Sequence, residues 1–369
     1  MSYVDLHDKP FDENTIIKLE IFEDYAKAWI PTFVMSGVPT ICIFDFFAGT
    51  GYDQNGVAGS PIRLIKKVQE QKGHLFQKNV RVKLFLNEYS KEKFDQLKSA
   101  CESLLDEDKS MRSRIEINYF NEDFELLFPK LIKTIKQYPS LVFLDQNGIK
   151  FLSDKYFLEL EKTSTTDFLY FVSSSYFWRF GNSDEFKMHL DIDVEEAKKQ
   201  EYKYIHRNIT EQIRQKLPSE SDLKLYPFSL KKGANIHGII FGASHPRAVD
   251  KFLSISWKRN DTNGDANFDI DDDSGKSQLD LFVGQKLSKV DSFKNEVREL
   301  VLKEDISSNS ELLDFTYSQG HIPKHSSDCL KELKKEGKIF YDGRSPLVTY
   351  DNVFNKKKKK QMLYKIIKE

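Results

Sequence analysis

TICIFDFFAGTG, residues 40–51, is the stretch that decides the fold. Its first eight residues are almost continuously apolar, the pattern of a strand buried on both faces of a parallel sheet. The run flows into Ala48-Gly49-Thr50-Gly51, where glycine permits a tight turn. A polar loop follows, and a helix is expected from Ser60-Pro61, with proline in the first turn. In open α/β sheets, ligands bind beyond the carboxyl ends of such strands, where glycines let the backbone approach. Asp45, Ala48, Gly49 and Gly51 are therefore the candidate cofactor-binding residues, with Asp45 facing the amino-acid part of a nucleoside cofactor. A structural strand-to-helix turn without a ligand is the alternative.

Outward from this stretch the same beat repeats. Strands are expected at 81–87, 114–121, 140–145 and 166–173, alternating with helices at 91–105, 124–137 and 154–161. Alternation of this kind implies crossovers and a parallel sheet with helices on both faces. An amphipathic helix at 14–30 precedes the first strand, and Pro31 is expected to end it or to start the next turn. A polar helical insertion occupies roughly 180–218. Residues 235–243 and 251–257 read as late elements of the first domain, and 258–285 as an acidic surface loop. From Val290 the pattern changes to helices at 290–302, 310–319 and 323–336, then short strands at 338–341 and 347–350. Three helices and a hairpin are the layout of a winged helix. The expected division is a Rossmann-like domain at 1–285, a winged helix at 286–352 and a basic tail at 353–369.

The 369 residues include 29 Phe and 16 Tyr, with 39% hydrophobic and 31% charged, which excludes a disordered chain. The net charge of −1 hides an asymmetry: residues 286–369 hold 18 basic and 13 acidic residues. A basic end on an acidic body points to a polyanionic partner, or to a solubilising tail. Cys42, Cys101 and Cys329 are far apart and odd in number, against a disulfide framework or a zinc site. With no signal sequence and no apolar stretch long enough to span a bilayer, a cytoplasmic protein without membrane contact is expected.

Three further positions carry candidate chemistry. Glu88 follows the second strand, where a carboxylate accepts hydrogen bonds from ribose hydroxyls. It also reads as a solvated strand-end acid. Asp123, beside Phe124, follows the third strand and suits either an adenine contact or a helix N-cap, roles that do not exclude one another. Asp145-Gln146-Asn147-Gly148 follows the fourth strand. Amino-group methyltransferases carry Asp/Asn-Pro-Pro-aromatic here, so that the exocyclic amine is held by hydrogen bonds and its lone pair attacks the methyl group. Asp145 is the candidate catalytic residue, although the prolines and the aromatic are missing; Phe151 is a candidate stacking partner. Ser173 to Arg179, rich in aromatics, suits a base and a phosphate, or simply the core. Asp261, Asn263, Asp265, Asp269, Asp271, Asp272 and Asp273 have part of a calcium-loop pattern but lack its Gly and Glu, so no metal is expected. No HExxH, GxSxG or Walker sequence appears.

In the C-terminal module, the helix opened by Pro323 is the candidate recognition helix. Lys324, Lys331, Lys334 and Lys335 are the candidate nucleic-acid contacts, on phosphates. A protein-interaction module is the other reading. Lys356 to Lys360, five lysines in a row, suit phosphates or a solvated tail.

FDENTIIKLEIFEDYAKAWIP at 11–31, DFFAGTGYDQNGVAGSP at 45–61 and NIHGIIFGASHPRAVDKFLSISW at 235–257 resemble the three-Cys-motif partner proteins, TcmP. So do FLDQNGIKF at 143–151 and TDFLYFVSSSYFWRF at 166–180, while HIPKHSSDCLKELKKEGKI at 321–339 resembles the winged helix often attached to that family. The resemblance implies a class I methyltransferase fold, S-adenosylmethionine as cofactor and a radical-SAM-like three-cysteine protein as partner. It places Asp45, Gly49 and Gly51 at the cofactor and Asp145 at the family's Asp-Pro-Phe-Gly position. The expected function is methyl transfer to nucleic acid at a base amine, or non-catalytic binding as the partner of the radical-SAM-like protein.

Overall fold

A computed structural model describes residues 10–145, 153–173, 192–199, 201–233, 235–276 and 287–367. The chain forms two compact units, Met1–Ser244 and His245–Glu369.

The first unit opens with α1 (Glu13–Ser36), whose cap Asp12 accepts from the Thr15 amide at 2.9 Å. Pro31 lies inside this helix, opening a further turn, and the helix runs on to Gly37 at φ 80°. Then come β1 (Thr40–Asp45), α2 (Ser60–Gln69), α3 (Lys72–Lys78), β2 (Arg81–Asn87), α4 (Lys91–Glu107), β3 (Ile115–Phe120) and α5 (Phe124–Gln137). They are followed by β4 (Ser140–Leu144), α6 (Asp154–Glu161), β5 (Thr166–Ser173), α7 (Val194–Lys198), α8 (Ile205–Lys216), β6 (Lys224–Lys232) and β7 (Asn235–Ala243). The sheet order is β3-β2-β1-β4-β5-β7-β6, with β1 to β5 parallel and β7 antiparallel to both its neighbours. This is a Rossmann-like sheet. Strand order reverses at β1 and β4, which opens a crevice at their carboxyl ends.

Both faces are covered, as the apolar strands require. Phe44, Val142, Phe168 and Tyr170 pack in one core with Leu127 and Phe128 of α5, Phe157 of α6 and Ile209 of α8. On the other face Phe22 of α1 stacks on Phe143 at 3.9 Å between centroids, and the Tyr25 hydroxyl donates to Asp167 at 2.7 Å. Burial pushes the Asp167 carboxyl up to about 7. The edge strand β6 escapes sequence reading because Pro227 and the lysines at 224, 231 and 232 break its apolar pattern. A proline is tolerated on an edge.

The second unit contains α9 (Pro246–Arg259), α10 (Asp273–Lys276), α11 (Lys289–Leu302), α12 (Asn309–Ser318), α13 (Pro323–Lys335), β8 (Ile339–Phe340), α14 (Tyr350–Val353) and β9 (Lys365–Ile366). α12 starts with a capping box, Ser308 and Glu311 bonding each other's backbone. The expected boundary at 285 falls inside this unit, and α9 belongs to it. The acidic loop explains why. Asn260 and Asn263 both donate to the Phe268 carbonyl at 3.0 Å, and Trp257 Nε1 donates to the Gly320 carbonyl at 2.8 Å. The described part of the loop, 258–276, is thus bonded within the second unit. The expected strand at 347–350 is absent: Leu347 has φ 55°, and the partner of β8 is β9, inside the expected tail.

Candidate functional site

Asp45 ends β1 fully buried. Its Oδ1 accepts from the Phe47 amide at 3.2 Å, while Oδ2 has no hydrogen-bond partner. Burial pushes its carboxyl up to about 7; the Ser60 hydroxyl, the Phe47 amide and Lys18 oppose this, and the charge of Asp145 adds to it. A carboxyl oxygen without a donor in a dry site is costly unless a donor arrives. An incoming donor, best a cationic one, would relieve that cost.

The glycine loop begins one turn later. Gly49 has φ 65° and donates its amide to Glu88 Oε2 at 3.1 Å. Glu88 Oε1 accepts from the Ser90 amide at 2.8 Å. A carboxylate accepts about four hydrogen bonds, so two amides leave it capacity for hydroxyl donors. The Ala48 amide donates to the Asn87 carbonyl at 2.9 Å. Gly51 is also structural, because at φ 90° a Cβ would stand 3.0 Å from Ala100 of α4. Asp123 caps α5 by accepting from the Glu125 amide at 2.8 Å, which accounts for one of its oxygens.

Sequence reading missed what fixes this edge. Asn87, buried at the end of β2, donates to the Phe46 and Glu122 carbonyls at 3.1 Å each, so it ties the ends of β1 and β3 together. Asp53 accepts from the amides of Phe11, Asn55 and Val57 at 2.7 to 2.9 Å. Burial pushes its carboxyl up, but these three amides outweigh burial and hold it below the usual range. The Asp-x-x-x-Val spacing of such a turn has no marker that separates it from a solvated loop.

Lys18 is the larger omission. It projects from α1, 8% exposed, and its ammonium pairs with Asp145 Oδ2. The same nitrogen lies 4.4 Å from the centroid of Phe171 of β5, a cation–π contact. Asp145 therefore stands at the end of β4 with an ammonium on one side, so an aromatic ring and a carboxylate already cradle a nitrogen cation. Gln146 to Gly148, Phe151 and Ser174 to Arg179 lie outside the described residues. A cavity of about 670 Å³ lies on the α4 side of the glycine loop, lined by Thr50, Tyr52, Asp95, Ser99, Ser103 and Glu107. It contains neither Asp45 nor Asp145.

In the second unit the candidate lysines divide. Lys324 and Lys335 are exposed. Lys331 pairs with Asp328 at 3.1 Å. Lys334 does not face outward: it donates to the carbonyls of Tyr341 and Gly343 at 2.8 and 2.7 Å, and its ammonium lies 4.1 Å from the Tyr341 ring. It is a pin between α13 and the wing. Lys334→Met is expected to lower the second unit's stability by about 1–2 kcal/mol, the cost of two lost charge-assisted bonds at a half-buried site. A thermal midpoint unchanged from wild type would remove the pin. The aspartates of the loop cap or pair: Asp269 accepts from the Asp273 and Ser274 amides at 2.8 Å, and Asp265 pairs with Lys289 at 3.2 Å. Among the described residues no group of three His, Cys, Asp or Glu is placed to hold a metal, and no helix is long and apolar enough to cross a membrane. The three cysteines are buried and free, and burial pushes the Cys42 and Cys101 thiols up to about 12.

Residues 267–346 match the model of the GMT-like wHTH domain. The match starts within the acidic loop and stops before the lysine run and β9. No curated protein sequence matches the chain. Among solved structures the chain is similar to the O-methyltransferase TomG from Streptomyces achromogenes in complex with SAM, at 12% identity and TM-score 0.32, over 63% of this chain and 89% of that one. It is similar to a putative class I S-adenosylmethionine-dependent methyltransferase from Listeria monocytogenes, at 9% identity and TM-score 0.31, over 66% and 64%. It is also similar to Trm1 from Pyrococcus horikoshii, solved with S-adenosyl-L-methionine, at 13% identity and TM-score 0.31, over 66% and 59%. The chain thus spans under two thirds of the last two. At these values no residue role passes from them to this chain.

Proposed function

We propose that the first unit binds S-adenosylmethionine at the carboxyl edge of β1 and transfers its methyl group to a nucleic-acid base amine. The observation that carries this is Asp45: a fully buried carboxyl whose Oδ2 has no close hydrogen-bond partner, four residues before the positive-φ Gly49, at the point where strand order reverses. S-adenosylmethionine fits that need, because its α-ammonium is a cationic donor and its sulfonium carries an electrophilic methyl. Asp45 would hold the ammonium and Glu88 the ribose hydroxyls. Asp123, at the N-terminus of α5, would face the adenine edge. Asp145 would accept a hydrogen from the acceptor amine and leave the nitrogen lone pair free.

The winged helix would bring the nucleic acid, in keeping with its fold and basic excess. The resemblance to the three-Cys-motif partner proteins supports a cytoplasmic protein working beside a radical-SAM-like protein. A second reading rests on Lys18. Its ammonium sits on the carboxylate that catalysis requires, which favours a cofactor-binding but non-catalytic partner. Isothermal titration with S-adenosylmethionine and with S-adenosylhomocysteine tests the shared premise. Micromolar binding of either is expected; no heat from either with folded protein sinks both readings.

A further inference from the structure

The basic excess of the C-terminal region is concentrated on the wing rather than on the expected recognition helix. Residues 341–367 carry seven basic and two acidic side chains, while residues 323–338 carry five and three. On α13 the charges are largely neutralised. Lys331 pairs with Asp328, Lys334 is held by wing carbonyls, and Glu332 and Glu336 pair with Lys294 and Arg298 of α11.

The lysine run is not a loose tail. Asn355 accepts from the amides of Lys358 and Lys359 through its carbonyl, at 2.9 and 2.8 Å, and from the Lys357 amide through Oδ1 at 3.1 Å. Lys360 donates its amide to the Asn352 carbonyl at 2.8 Å, and its own carbonyl accepts from Asn309 Nδ2 at 2.9 Å. Asn309 is 1% exposed, and its Oδ1 and amide bond both backbone groups of Met362 at 3.0 Å. The run is therefore a local turn built on Asn355 and Asn352, and its C-terminal end is fastened to the buried Asn309 of α12. Lys358 pairs with Asp351 at 2.7 Å, and all five lysine side chains are exposed.

We infer that this fixed turn, and not α13, is the phosphate-docking surface of the second unit, and that it takes the backbone of a nucleic acid. The inference rests on the nucleic-acid part of the proposed function and specifies its contact surface. A lipid surface attracts basic residues whatever their order, through a diffuse potential. Ammonium groups held on a tied turn suit a row of phosphates at fixed spacing. Phe340, 53% exposed and paired across the hairpin with Lys365, adds a ring against which a base can stack.

The test measures binding of the full chain to a fluorescein-labelled 20-base-pair DNA duplex, and to an RNA duplex of the same sequence, across a salt series. Each phosphate contact contributes about 0.9 to the slope of log affinity against log salt for a DNA duplex. Replacing Lys356, Lys357, Lys359 and Lys360 by Gln is expected to reduce that slope by about three and weaken binding at least about ten-fold. Lys324→Gln with Lys335→Gln is expected to change affinity less than about two-fold. A larger loss from the α13 pair overturns the inference but leaves nucleic-acid binding standing. Wild-type binding to vesicles of phosphatidylserine and phosphatidylcholine, without binding to either duplex, overturns both. Cofactor titration of the same preparations is independent of these outcomes.

Discussion

Asp45→Asn is expected to weaken S-adenosylmethionine binding by about ten- to a hundred-fold, the range of a charge-assisted hydrogen bond in a dry site. The side chain keeps its shape and loses only its charge, so the loss reports on the cation it meets. The wild-type carboxyl is pushed up to about 7 by burial. A bound cation favours the ionised form, so wild-type affinity should rise as pH increases through 7 and then level. The variant's affinity should stay flat. Stability moves the other way. Between the unfolded carboxyl's ordinary value and 7, the folded state holds the extra proton, so stability falls as pH rises across that window. Asp167, also pushed to about 7, acts in the same direction. Asp45→Asn removes one of the two contributions and should raise stability above pH 7, by at most about 4 kcal/mol, seen as a higher thermal midpoint. Calorimetry at pH 6 and 8, with thermal melts at both, measures the two arms. Wild-type affinity in the variant would show that Asp45 is a buried structural acid and not a cofactor residue.

That experiment also tests how far a sequence pattern reaches. The β1 stretch is legible because apolar continuity and glycine spacing are local properties of the chain. The same holds for β2, β4 and α5, whose bounds follow their periodicity. Four features depend on distant partners and leave no local mark. β6 is an edge strand with a proline. Asn87 is one polar residue at a strand end, and only the fold shows that it joins the ends of β1 and β3. Lys18 lies in an amphipathic helix where a lysine ordinarily faces solvent; it is buried because its ammonium meets Asp145 at the carboxyl end of β4 and the Phe171 ring of β5. The wing closes on β9, a strand of two residues beyond a lysine run that looks like a tail. Gly51 shows the opposite case. Its pattern is plain in the sequence, but its cause is the close approach of Ala100. The glycine loop therefore mixes one residue bonded to the candidate ribose acid, Gly49, with one required by packing.

Asp145→Ala is expected to slow methyl transfer about a hundred-fold or more, the typical contribution of a group handling the acceptor's proton. Tritiated S-adenosylmethionine with mixed RNA or DNA measures it. The difficulty is that the same variant leaves the Lys18 ammonium without its carboxylate at a site where Lys18 is 8% exposed. Breaking a buried pair destabilises by about 3–5 kcal/mol; here solvent at Asp145 lowers that to about 1–3. A loss of activity alone would then be ambiguous. Lys18→Met separates the two causes, since Met fills the volume, keeps contact with Phe171 and carries no charge. The double variant should recover most of the lost stability, because the uncompensated charge is gone. It should remain as slow as Asp145→Ala, because the acceptor's hydrogen-bond partner is still missing. Transfer restored in the double variant would make Asp145 a partner for Lys18 and nothing more. A stable, cofactor-binding protein that transfers no methyl group in wild type or in Lys18→Met would favour the non-catalytic reading. Lys18→Met alone that transfers faster than wild type would mean that the lysine restrains a competent site, with Asp145 free to accept the amine once the ammonium is removed.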